Sequence, residues 1–202
     1  MSKSRPENRE AFFARLRPIL SPGELLDVEL AYALAKHAHR AQVRSERGAD
    51  DKPLRYFEHP RRVALVLIDE VRVSDPELIC VALLHDGVED TRELTPAMIE
   101  RHWGPDVARL VQLLSKVPKE GYIERLATYG DWRARLVKAA DRLDNLRSLG
   151  EHQVTAAFRE RQLTETRRLY LPLLERLTAE VPDALRPGTE RLMTELRERV
   201  NG

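Results

Sequence analysis

The chain has 202 residues, 42% hydrophobic and 33% charged, with a formal net charge of +1. That length allows one sizeable core rather than two complete domains, and the small net charge gives no bulk electrostatic case for nucleic acid or an acidic membrane surface. The single cysteine, Cys80, rules out a disulfide framework within the chain. No apolar run approaches the ~18 residues of a membrane span, and the N-terminus lacks a signal-peptide core, so the expected location is the cytoplasm.

The pattern predicts an all-α fold: one domain over residues 1–202, with a core at about 23–180, an N-terminal segment 1–22 and a C-terminal helix at 188–200. In the N-terminal segment, Phe12, Phe13, Leu16 and Leu20 suit a short packed helix. Ser21-Pro22 then supplies a cap and first-turn proline for a long helix reaching about Gln42. From Arg44 to Lys52 periodicity disappears, which predicts a long loop. His59-Pro60 opens a helix with Val63, Leu67, Ile68 and Val71 inward, and Asp75-Pro76 opens the next. Thr95-Pro96 starts a short helix closing near Gly104, followed by another over Pro105 to Lys116. A mixed segment, Pro118–Gly130, precedes a helix over Asp131–Leu149 that Gly150 ends. A long helix is expected from about Val154 to Glu180, and a last amphipathic one at Thr189 to Val200.

The helix opened by Asp75-Pro76 runs into Leu83-Leu84-His85-Asp86-Gly87-Val88-Glu89-Asp90-Thr91. On a continued helix, with His85 at zero, Glu89 falls near about 40°, Asp86 near about 100° and Asp90 near about 140°. All four would then face one pocket. A histidine and an aspartate suit a borderline or hard divalent metal, and the further carboxylates can handle a proton or a water.

Two residues held by one turn make a weak metal site, so more ligands are expected elsewhere. His59 precedes a helix in Glu58-His59-Pro60, where the proline fixes the backbone. Asp141 lies among Val137, Ala140 and Leu143, where burial is costly unless the carboxylate is paired or ligating; an ion pair with Arg142 or Lys138 is the competing explanation. Asn145 follows one turn later on the same side. His59, His85, Asp86 and Asp141 together make a mixed nitrogen–oxygen site with positions left for water and substrate.

The order His59…His85-Asp86…Asp141 resembles the signature of the HD superfamily of metal-dependent phosphohydrolases. Leu84-His85-Asp86-Gly87-Val88-Glu89-Asp90-Thr91 is similar to the HDxxEDT motif of alarmone hydrolases in the RelA/SpoT group. Lys138-Ala139-Ala140-Asp141-Arg142-Leu143-Asp144-Asn145-Leu146-Arg147 is similar to that group's K-L-A-D-R-L-x-N-x-R run. The likeness covers about residues 25–178; only about 25 residues follow, too few for a synthetase domain, and the expectation is a small stand-alone hydrolase.

The resemblance implies an all-α HD-type bundle and a 3′-pyrophosphohydrolase of (p)ppGpp or (p)ppApp. It implies one Mn²⁺ held by His59, His85, Asp86 and Asp141. Glu89 and Asp90 would orient and deprotonate the attacking water or protonate the departing 3′-oxygen, their roles undivided. Where the family often has Arg-Lys, this chain has Arg44-Ser45. Arg44 and Ser45, with Lys119 and Asn145, form the expected substrate-contacting set, Arg44 stacking on the base. The substituted second cation leaves base identity open between guanine and adenine. The alternative is a phosphohydrolase of another nucleotide, such as NADPH or a 5′-nucleotide, and a catalytically silent sensor comes third. Expected partners are a small-molecule nucleotide, with no nucleic acid or membrane; a homo-oligomer stays open. His37, His102 and His152 read as surface or capping residues, and His39 as part of the site's back wall.

Overall fold

Local caps set where the helices begin. In the computed structural model, which describes residues 8–47, 53–149 and 154–201, Asn8 caps α1 (Arg9–Leu16) and Ser21 caps α2 (Pro22–Ala38). At α2 the capping box is complete: Glu24 Oε2 accepts the Ser21 N–H at 2.7 Å and Ser21 Oγ accepts the Glu24 N–H. Phe12, Phe13, Leu16 and Leu20 are buried, and Phe12 packs on Tyr32 with ring centroids 5.2 Å apart. The N-terminal helix therefore belongs to the same hydrophobic cluster as the rest of the described residues.

The expected loop after α2 carries strand instead. β1 (Val43–Arg47) pairs antiparallel with β2 (Pro53–Arg55). The ribbon escapes a pattern reading because β1 is Val-Arg-Ser-Glu-Arg, with no alternating apolar face, and β2 has only three residues and opens on proline. It is a small addition to a helical fold.

α3 (Glu58–Leu65) continues as a π-helical segment over Val66–Val71 and stops at Arg72, whose φ of 73° is left-handed. α4 (Pro76–Leu84), capped by Asp75, is the centre of the molecule: every residue from Leu78 to Leu84 is fully buried. Being apolar all round, it packs on α2 and α3, and on two later helices, Pro96–Leu114 and Trp132–Ser148. A short α5 (Gly87–Asp90) follows. The two helices expected around Gly104 are present as α6 (Pro96–Leu114), kinked at Gly104 where φ is 85° and Pro105 follows.

The mixed segment contains α7 (Tyr122–Tyr129), and Asp131 caps α8 (Trp132–Ser148). The expected stop at Gly150 lies outside the described residues. Beyond it, the expected single long helix is broken: α9 (Ala156–Glu165) passes through a π segment at Thr166–Tyr170 into α10 (Leu171–Leu173), and α11 (Leu177–Glu180) follows a turn. Pro172 has no N–H to donate back to Arg168, and the helix widens just before it.

α12 (Arg186–Asn201) closes the chain against α8 and the π segment of α3. Gly188 permits this approach, since a Cβ there would fall 2.5 Å from Val71 Cα and 2.7 Å from the Glu70 carbonyl oxygen. Among the described residues no helix is long and apolar enough to cross a membrane.

Candidate active site

α4 ends at Leu84 and its C-cap, His85, is fully buried. His85 Nδ1 lies 2.8 Å from the Ala82 carbonyl oxygen, which can only accept, so Nδ1 carries the proton. Its Nε2 therefore offers a lone pair, and it is buried with no hydrogen-bond partner among the described residues. Asp86 Oδ1 lies 3.2 Å from that atom and Asp141 Oδ1 3.9 Å from it.

His59, in the first turn of α3, completes the group. Its Nε2 is 3.1 Å from Asp141 Oδ1 and 3.4 Å from Asp86 Oδ2. Ligand atoms of His59, His85 and Asp141 all lie within 4.8 Å of one another. Segments 82 residues apart in sequence (59 to 141) thus converge, because α3 and α8 both pack on α4.

Each member is held from behind. His59 Nδ1 donates to Asp144 Oδ2 at 2.7 Å, and Arg62 Nε donates to the other oxygen of Asp144, also at 2.7 Å. Tyr56 Oη donates to Asp86 Oδ2 at 2.9 Å. Asp141 divides its two oxygens: Lys138 Nζ donates to Oδ2 at 2.8 Å, while Oδ1 faces the histidines and accepts from Asn145 Nδ2 at 2.6 Å. Asp141 is thus ion-paired through one oxygen, to Lys138, and turns the other toward the two histidines. Asp144 has no assigned role in the sequence pattern, although its place three residues after Asp141 puts it on the same helix face.

Charge at the site is set by competition between burial and partners. Burial works against the ionised forms of Asp141 and Asp86. Lys138 and then His59 hold Asp141 far below the usual carboxylate range, and His85 and His59 hold Asp86 below it. Asp144, with His59 and Arg62 outweighing burial, is held at about 2. Burial outweighs Asp86 and Asp141 at His85 and lowers it from the usual imidazole range. For His59 burial also opposes charge, but Asp141 and Asp144 prevail and push it up to about 9. In the metal-free protein a proton on His59 thus stands where positive charge is called for. Two imidazole nitrogens, one of them orphaned, beside two ionised carboxylates fit a divalent metal ion.

A cavity of about 260 Å³ opens on this cluster. Glu89 and Asp90 of α5 line it, with Lys116 just after α6, Arg142 and Asn145 of α8, and Arg44 of β1. Glu89 Oε2 accepts the Lys116 backbone N–H at 2.8 Å. Arg44 Nη2 donates to Asn145 Oδ1 at 3.0 Å and its guanidinium lies 5.7 Å over the Tyr56 ring. Arg142 Nη2 donates to Thr166 Oγ1 at 2.7 Å and packs 4.5 Å over Tyr170.

Residues 31–125 match the HD domain model. The chain is 34% identical over 88% of its length to a protein of Brucella melitensis named GTP pyrophosphokinase rsh. It is 32% identical over 91% of its length to the Escherichia coli K12 protein named bifunctional (p)ppGpp synthase/hydrolase SpoT. In each case it spans 25% of the relative's own length. A solved structure, described as a metazoan ortholog of SpoT that hydrolyzes ppGpp, superposes with a TM-score of 0.63 at 30% identity, covering 86% of this chain and 93% of that one. The chain belongs to the SpoT-type HD family.

The motif of this SpoT-type HD chain is not one continuous helix. α4 stops at Leu84, a turn holds His85 and Asp86, and α5 restarts at Gly87, packed so closely on Leu94 that a Cβ would meet its Cδ1 at 2.4 Å. Asp86, Glu89 and Asp90 nonetheless line one cavity. Lys119 is exposed and does not line it; Lys116, three residues earlier, does. The segment around Lys119 offered no clear motif, and a pattern reading cannot tell which lysine turns inward. The side chain of Ser45 and residue His152 lie outside the described residues. His39 is buried with its ring stacked on Tyr56 at 4.7 Å, behind the cavity wall, while His37 and His102 are exposed.

Proposed function

We propose that this chain is a hydrolase that removes the 3′-pyrophosphate from alarmone nucleotides of the (p)ppGpp type, with Mn²⁺ as its working ion and the cytoplasm as its setting. The observation that carries the reading is the Glu89–Asp90 pair lining the same cavity as His59, Asp86 and Asp141, with His85 buried directly behind them. Acid–base carboxylates beside a metal-competent set are what water attack on a phosphorus requires. The names of the relatives above supply the substrate class.

His59, His85, Asp86 and Asp141 would hold the ion, which when bound supplies a water of lowered pKa and polarises the phosphoryl oxygen. Asp144 and the Ala82 carbonyl fix the tautomers of the two histidines so that both present Nε2 to the same point. Glu89, tethered by the Lys116 N–H, and Asp90 take a proton from the attacking water and return one to the departing ribose 3′-oxygen. The water oxygen bonds to the 3′-attached phosphorus, the bond from that phosphorus to the 3′-oxygen breaks, and pyrophosphate leaves. Lys116 and Arg142 supply positive charge toward the phosphates. Arg44 and Asn145 close the end of the cavity where ribose and base fit, Arg44 offering a planar stacking face. Since Ser45 stands where a second cation is common, (p)ppApp is included beside (p)ppGpp.

Chromatography of ppGpp, ppApp and NADPH incubated with the Mn²⁺-loaded protein tests this. Pyrophosphate with the matching 5′-diphosphate is the expected product of the alarmones. Turnover of NADPH alone, or of none of the three, overturns it.

A further inference from the structure

Behind Tyr56 lies chemistry the reaction does not use. A second cavity, of about 310 Å³, is walled by α1, α2, β2 and the start of α3 and is lined by five cationic side chains and one carboxylate, Glu58. Three of the cations are engaged: Arg9 with Glu29, Arg40 with Glu93 at 2.9 Å, and Arg61 with Glu58 and with Tyr32 Oη at 3.3 Å. Lys36 and Arg55 are exposed and within electrostatic reach of Glu58, but make no hydrogen bond or ion pair among the described residues.

Two polar groups on the same wall are left unsatisfied. Arg61, 5% exposed, has a buried Nε–H with no acceptor among the described residues. His39, 1% exposed, donates from Nδ1 to Gln42 Oε1 at 2.6 Å, and its buried Nε2 has no partner. Gln42 Nε2 donates to the Asp90 carbonyl at 2.7 Å, which fixes the amide orientation and hence the His39 tautomer. Unsatisfied buried polar atoms are rare in folded proteins and call for a ligand or water. Both residues line the cationic cavity, one offering a donor and the other an acceptor. An oxyanion accepts from the Arg61 donor, and a protonated phosphate oxygen or its water satisfies the His39 acceptor.

We propose that this cavity is a second anion site, taking a phosphate or pyrophosphate group, separate from the catalytic cavity. The two share a wall: the His39 ring stacks on Tyr56, and Tyr56 donates to Asp86. Free pyrophosphate and the 5′-diphosphate of a nucleotide both carry the required group. The assignment stands on these residues alone and does not depend on the proposed reaction.

Equilibrium dialysis of the full chain in excess chelator, with labelled inorganic pyrophosphate and separately with GDP, tests it. Wild type is expected to bind pyrophosphate, and His85→Ala, altered only in the catalytic cluster, to bind it equally. Lys36→Glu combined with Arg55→Glu is expected to weaken binding about tenfold or more, and the Gln pair at the same positions by less. Binding of GDP that competes with pyrophosphate names a nucleotide as the source; pyrophosphate binding alone names the free anion. The proposal is overturned if wild type binds neither probe, or if both double variants bind as wild type does.

Discussion

Asp144 accepts a hydrogen bond from His59 Nδ1 at 2.7 Å, and through it α8 fixes the ring of a residue on α3. A carboxylate behind a histidine sets the tautomer and raises the basicity of the outward nitrogen. Asp144→Asn should lower affinity for Mn²⁺ by about 10–100-fold while leaving maximal turnover largely recoverable at saturating metal. Metal titrations followed by calorimetry, paired with activity against metal concentration, check this. Turnover that stays lost at saturating metal would place Asp144 in the chemistry instead.

Glu89 and Asp90 line the cavity, whereas Asp86 lies 3.4 Å from His59 Nε2 and 3.2 Å from His85 Nε2. Glu89→Gln and Asp90→Asn should keep Mn²⁺ binding and lose about 10²–10⁴-fold in turnover, the usual contribution of a positioned acid or base. His85→Ala and Asp86→Ala should lose the metal itself. Side-by-side metal stoichiometry and initial rates distinguish the two classes.

Lys138 is 1% exposed, bonded to Asp141 and set near the rings of Tyr122 and Tyr170. Replacing it by methionine removes one partner of a buried pair, a change that costs about 3–5 kcal/mol when the other charge is left uncompensated. The Lys138→Met loss should be largest in chelator and smaller with saturating Mn²⁺, because the ion also neutralises Asp141. Denaturant melts with and without metal measure it.

The sequence was most informative where one residue type has one use. Ser21, Asp75, Thr95 and Asp131 each cap the helix their neighbours predict, and the apolar run before His85 is the buried α4. The convergence of His59, His85, Asp86 and Asp141 rests on helix packing that no local pattern contains; the motif order pointed to it. Lys116 and Asp144 were hidden because an inward lysine and an outward one have the same local sequence pattern, and because a supporting carboxylate looks like a helix-face charge. The β1–β2 ribbon has no alternating face to reveal it, and the periodicity from Val154 to Glu180 runs unbroken across the widening before Pro172.

Asp131 caps α8, accepting the N–H groups of Arg133 at 2.9 Å and Ala134 at 3.1 Å, and it pairs with Arg109 and Arg133. Burial opposes its charge, but the Ala134 N–H and the two arginines hold its carboxyl below the usual range. A depressed folded-state pKa gives stability that is present above the unfolded value of about 4 and is lost as pH falls through the folded value. Asp131→Ala should therefore cost about 1 kcal/mol near neutrality, and the gap from wild type should narrow below about pH 4. Urea melts at both pH values report it.

The most direct test is a Mn²⁺ titration followed by electron paramagnetic resonance on wild type, His59→Ala and Asp141→Ala. One tightly bound ion per chain in wild type, lost in both variants, is the predicted result. Wild-type affinity retained in either variant would contradict a single metal centre built from α3, α8 and the α4–α5 turn.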